Sequence, residues 1–275
     1  SLAIRSIYGE SFPWLVLLDS KWAERNTCRI FPLTEQERSY FDAAWNSYVT
    51  FCRPYDNVFE LLREQYLHAI KRIGLKDRIA GLYEPDNDLA EHLMTFYWRG
   101  KIEIEDSLLS ELWSKAPDSL RGHAIEFIGQ ALKATIKPIP EEIIERLKVL
   151  WDKRLDSAKK KPEDHEKEMA AFGWWFISGQ FDAEWATKQL HEVLKQIKKT
   201  EITDEVLARL AAIAESYPIQ AIECLRFIAE GDKLCIELLK KRKYSIEQVF
   251  ITNGNLERYL PFIEHENVVI ISPKE

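Results

Sequence analysis

Apolar side chains recur at steps of three and four along nearly the whole chain, the spacing that gathers them on one face of an α-helix. Phe41, Ala44, Trp45, Tyr48, Val49 and Cys52 share one such face. Thr34, with Glu37 three residues on, forms a capping-box start ahead of them, and Pro54 lies just past the end. A second helix is expected from about Asp56, burying Val58, Leu61, Leu62, Tyr66, Ala69, Ile70 and Ile73 and ending at Gly74 in the left-handed conformation. A third runs from about Asp88 to Arg99 on Leu89, Leu93, Phe96 and Tyr97, and Gly100 stops it. Lys101 to Glu105 alternates, so Ile102 and Ile104 predict a short extended link. Asp106 or Ser107 then caps a short helix through Trp113.

From Pro117 the pattern grows more regular. Leu120, Ala124, Phe127, Ile128 and Ala131 form one stripe; Ile143, Ile144, Leu147, Leu150, Trp151 and Leu155 follow Pro140, which suits a first helical position. Pro162 opens the next helix, Asp182 and Thr203 cap two more, and Pro218 begins another. Two helices take about 40 residues, the period of HEAT or armadillo pairs, although no consensus string recurs. A single pair cannot hide its apolar stripe, so neighbours must stack. The expectation is an all-α fold of antiparallel helix pairs stacked as an α-solenoid, with Val268 to Ile271 as a short C-terminal strand or a strip packed on the last helix. It divides into an N-terminal helical lobe over 1–115 and a helical-repeat lobe over 116–275, or forms one continuous solenoid over 1–275.

Composition narrows the function. The chain has 275 residues, enough for a sizeable core, and a net charge of −7, which argues against nucleic acid or an anionic membrane as partner. Cys28, Cys52, Cys224 and Cys235 form no CxxC and read as reduced thiols in a cytoplasmic protein. The apolar run Trp14-Leu15-Val16-Leu17-Leu18 is far too short to span a bilayer. The sequence begins at Ser1 rather than at a methionine, and is expected to be a segment of a longer protein whose other domains carry part of the function.

Nine tryptophans are more than usual. In Phe172-Gly173-Trp174-Trp175-Phe176, consecutive aromatics point around more than half of a helix, so Trp174 and Trp175 are buried on two sides, serve as aromatic anchors for a protein partner, or stack on nucleic-acid bases, the last opposed by the acidic flank Glu163 to Glu168. Phe96-Tyr97-Trp98-Arg99-Gly100 poses the same choice for Trp98 and Arg99, and an arginine at a helix C-terminus is favourable without any ligand. The basic cluster Lys240-Lys241-Arg242-Lys243 is explained by the end of a helix in the same way.

His165-Glu166 and His191-Glu192 are not zinc motifs, because Met169 and Lys195 occupy the second ligand position. No phosphate-binding glycine loop, dinucleotide fingerprint or nucleophile elbow is present. No catalytic residue, metal or cofactor is therefore expected. The carboxylates alternate with lysine and arginine as a solvated face does, and no pair stands out for acid–base work.

Four stretches carry a resemblance: Trp22-Ala23-Glu24-Arg25, Ala43-Ala44-Trp45-Asn46-Ser47-Tyr48, His92 to Gly100, and Phe172 to Phe176. They resemble C-terminal helical-repeat regions of large bacterial multidomain proteins, in which a sirtuin-like or P-loop NTPase module precedes a helical tail and which act in defence or signalling. The resemblance implies a helical region without the enzymatic module, and it carries over no catalytic residue. The leading expectation is a non-catalytic protein-interaction or scaffolding segment, its partner another protein or other domains of the same longer chain. The alternatives are an all-α hydrolase that uses carboxylates in a groove and a helical solenoid that binds nucleic acid.

Overall fold

A computed structural model describes residues 1–75 and 84–231. All regular structure among them is helical, so the protein is all-α. In chain order the α-helices are α1 (Leu2–Glu10), α2 (Phe12–Leu18), α3 (Ser20–Ile30), α4 (Arg38–Phe51), α5 (Asp56–Lys71), α6 (Pro85–Trp98), α7 (Ser107–Lys115), α8 (Asp118–Ala134), α9 (Glu141–Lys160), α10 (Glu166–Ala171), α11 (Gly173–Ser178), α12 (Ala183–Ile197), α13 (Thr203–Ile213) and α14 (Pro218–Gly231). The chain separates into two compact units, Ser1–Ile128 with Lys137–Arg154, and Gly129–Ile136 with the described residues from Leu155 onward.

Local chemistry sets several of these boundaries. Asp19, Asp106 and Asp182 each accept a hydrogen bond from a backbone N–H in the first turn of the helix that follows, at 2.9–3.0 Å. Gly74 and Gly100 follow α5 and α6 with φ of 76° and 70°, where a side chain would be strained. Thr34 bonds the Glu37 carboxylate at 3.0 Å, but the turn it opens, Glu35–Glu37, is 3-10, and α4 begins at Arg38. Pro162 likewise opens a 3-10 turn rather than a helix, and α10 starts at Glu166. The link around Ile102 forms turns, not a strand, and Ile102 is buried. The expected strand at Val268 to Ile271, the cluster Lys240 to Lys243 and Cys235 lie outside the described residues.

The first unit is organised by aromatic rings. Phe31 meets Phe12, Trp45 and Tyr48 edge-on; Trp45 also meets Tyr66 edge-on, and Phe59 stacks on Phe96 at 4.1 Å. These contacts tie α2, α4, α5 and α6 and the segment after α3 into one core. α1 closes on α4 through Gly9, where an added Cβ would lie 1.9 Å from the Ala44 carbonyl oxygen. Between α4 and α5 a buried ion pair joins Asp42 to Arg72 at 3.1 Å.

The second unit contains its own aromatic cluster. Trp175 stands edge-on to Phe172 and stacks on Phe181, which tilts against Trp185. Gly173 allows α11 to approach the segment before α13, since an added Cβ would meet the Thr200 hydroxyl at 2.2 Å. α12 meets α14 at Gly231, whose missing side chain leaves room for the Lys198 carbonyl.

Candidate contact surface

The residues singled out from the sequence fall in different environments. Trp175 is fully buried and belongs to the core of the second unit, so it is not available to a partner. Trp174 is half-buried, with the Lys133 ammonium 5.1 Å from its ring centroid and its Cβ packed where Gly129 has no side chain. Trp98 is half-buried at the end of α6. Arg99 is exposed but occupied: its Nη1 donates to the Pro54 carbonyl at 2.6 Å and meets Asp56 at 3.2 Å. Asp56 also pairs with Lys101. Arg99 thus clamps the end of α6 to the start of α5.

The groups with acid–base chemistry are closed on one another. Tyr48 and Tyr66 hydroxyls lie 3.0 Å apart, Tyr66 lies 2.7 Å from His92 Nδ1, and His92 Nε2 lies 2.9 Å from the Cys52 carbonyl. Burial raises the pKa of both tyrosines and lowers that of His92 to about 4, so the imidazole is neutral. The Cys52 thiol donates to the Glu10 carbonyl and burial pushes its pKa up to about 12, which keeps it protonated and unreactive. Asp88 accepts from Thr50 at 2.6 Å and is raised by burial. Glu91 sits 2.9 Å from His123, whose pKa the carboxylate raises. Among the described residues, no three His, Cys, Asp or Glu side chains are placed to hold a metal ion.

What the first unit leaves open is apolar. Along α1 and α2, Ile4, Ile7, Ser11, Trp14 and Leu18 follow at alternating steps of three and four. Ser11 joins the two helices in a right-handed conformation. Its N–H donates to the Ile7 carbonyl at 2.9 Å, and its own carbonyl accepts from the Leu15 N–H at 3.1 Å. Helical hydrogen bonding therefore carries through the junction, and the five positions form one stripe. The opposite side, Gly9, Phe12 and Val16, is buried. The stripe is not: Ile4 is 55%, Ile7 62%, Trp14 67% and Leu18 80% exposed. Leu17 and Tyr8 flank it and are exposed as well.

The run Trp14 to Leu18, read along the sequence, signals only that it cannot cross a bilayer, and no described helix is long and apolar enough to do so. A second signal was present: α2 is apolar on all sides, FPWLVLL, and one face of a surface helix cannot bury that many side chains. Charge is sparse beside it, with only Arg5 and Glu10 in α1 and none in α2. No family model, curated protein or solved structure matches this chain.

Proposed function

We propose that the chain is a non-catalytic helical-repeat segment of a larger bacterial protein, and that it works by protein–protein contact through the α1–α2 stripe. The observation that carries this reading is the exposure of Ile4, Ile7, Trp14 and Leu18 on one line of two consecutive helices. Soluble monomers seldom leave so contiguous an apolar surface in water, and such surfaces mark interaction sites. The resemblance of Trp22 to Arg25, Ala43 to Tyr48, His92 to Gly100 and Phe172 to Phe176 to the helical tails of bacterial defence and signalling proteins supports the same reading. A cytoplasmic setting belongs to it, in keeping with the free thiols of Cys28, Cys52 and Cys224. Trp98 and Trp174 are secondary contact candidates, each half-exposed.

Crosslinking of the protein at low micromolar concentration tests the reading, both alone and with the remainder of the native gene product. Protein crosslinks mapping to α1 and α2, abolished by Trp14→Glu with Leu18→Glu, are expected. Association that is unchanged by these substitutions, or absent altogether, overturns it.

A further inference from the structure

α3 carries a row of cations that nothing in the described structure answers. Its buried side is Ala23, Thr27 and Ile30. On the opposite side Lys21, Arg25 and Arg29 follow at steps of four, all exposed. Eight residues of helix rise by about 12 Å, which is the length of the row. Among the described residues none of these three side chains has an ion-pair or hydrogen-bond partner. By contrast, Arg63, Arg99, Lys101 and Lys153 in the same unit each meet a carboxylate. The two acids nearest in sequence are not paired with the row. Asp19 accepts from the Trp22 N–H, and Glu24, one residue before Arg25, lies about 100° around the helix from it.

The row borders the apolar stripe. α3 starts one residue after α2 ends, the two helices touch, and both rest on α5. Their outward sides therefore point away from the same core. Leu18 and Lys21 are three residues apart, so their Cα atoms lie within about 11 Å of one another. We infer that the partner presents an acidic amphipathic helix, with its apolar face along α1 and α2 and its carboxylates toward Lys21, Arg25 and Arg29. This rests on the interaction reading above and adds the partner's chemistry to it.

Charge separates this occupant from others. A second copy of the chain brings the same cations to the same place, where like charges repel. Nucleic acid supplies anions but binds mainly through phosphate and sugar, which leaves Ile4, Ile7, Trp14 and Leu18 in water. An anionic bilayer is a plane that faces a wide area of a chain of net charge −7. A single helix meets the cations at contact distance, and salt screens it from acids more than about 8–10 Å away.

Fluorescence anisotropy of the whole chain with two labelled peptides tests the inference. Both are amphipathic helices of about 20 residues, long enough to be helical alone, with leucine at steps of three and four. One carries glutamate and alanine at the remaining places, the other lysine and alanine. The glutamate peptide is expected to bind at least about tenfold more tightly, and less so as salt rises. Arg25→Glu with Arg29→Glu should remove the preference, and Arg25→Lys with Arg29→Lys should keep it. Trp14→Glu should abolish binding. These side chains lie largely in solvent, and thermal unfolding under the same conditions checks that the variants are folded.

Equal binding of the two peptides, no binding of the glutamate peptide up to about 100 µM, or a preference that survives Arg25→Glu with Arg29→Glu overturns the inference. So does cosedimentation with phosphatidylserine vesicles in place of peptide binding, which would make the occupant a lipid surface. Crosslinks from the remainder of the native gene product to α1 and α2 that persist in the Arg25→Glu, Arg29→Glu variant leave the interaction reading standing without an acidic partner. If those crosslinks are absent as well, both fall.

Discussion

The Tyr66 hydroxyl lies 2.7 Å from His92 Nδ1, and the partner on the other side of the ring decides the direction of this bond. His92 Nε2 faces the Cys52 carbonyl, which can only accept, so Nε2 carries the proton and Nδ1 is the acceptor. Tyr66 then donates to His92 and accepts from Tyr48. The buried chain runs one way, from Tyr48 through Tyr66 to His92 and on to the backbone after α4.

This arrangement makes stability depend on pH. The pKa of His92 in the fold, about 4, is below its ordinary 6.5, so the unfolded chain binds the extra proton more readily. The contribution is complete above pH 6.5 and is lost as the pH falls through the window down to about 4, about 3 kcal/mol in all. Urea unfolding at several pH values across that window should show the slope, and His92→Gln should remove its share. Equal slopes in the two proteins would show that the imidazole titrates freely in the fold.

Gly9 is held against α4 by space alone. A Cβ there would sit 1.9 Å from the Ala44 carbonyl oxygen, and backbone cannot swing away as a flexible side chain does. Gly9→Ala should cost about 1–3 kcal/mol despite alanine's better helix propensity. Chemical denaturation measures this, and a neutral or stabilising effect would contradict the close approach of α1 to α4.

The Asp42–Arg72 pair is buried, yet Asp42 Oδ1 and Arg72 Nη1 find no hydrogen-bond partner. Removing one member strands a charge: Asp42→Leu or Arg72→Met alone should destabilise by about 3–5 kcal/mol. The double variant should recover most of that loss, because an imperfectly satisfied pair contributes little over well-packed apolar groups. A double-mutant cycle reads the coupling directly, and additive losses would count against it.

Adjacent tryptophans should behave unequally. Trp175→Ala opens a hole between Phe172 and Phe181 and should cost about 3–5 kcal/mol. Trp174→Ala removes a half-buried ring whose indole Nε1 is buried without a partner, and its loss should be smaller. Thermal or urea unfolding of the two variants decides, and the reverse order would place the wrong ring in the core.

Much of the fold could be read from the chain because its causes are local. α4, α5 and α6 lie close to where the spacing of Phe41, Tyr48, Leu62, Tyr66, Leu93 and Phe96 puts them, and Gly74 and Gly100 stop their helices for steric reasons that hold in any context. The misjudged starts at Thr34 and Pro162 are also local, since capping residues specify a turn without specifying whether it is α or 3-10. Periodicity was silent on which of two consecutive tryptophans enters the core. The stripe on α1 and α2 was harder still, since an apolar side chain looks the same whether a neighbouring helix covers it or not.

The sequence by itself therefore determined the helices, because a period of three to four apolar places and the residues that cap or break a helix act within a turn or two of the backbone. Only the tertiary structure decided that Trp175 is core, that Arg99 is already held by Pro54 and Asp56, that His92 is a neutral acceptor, and that Ile4, Ile7, Trp14 and Leu18 remain in water. Burial and hydrogen bonding are relations between residues distant along the chain, and they come into being only when the helices pack.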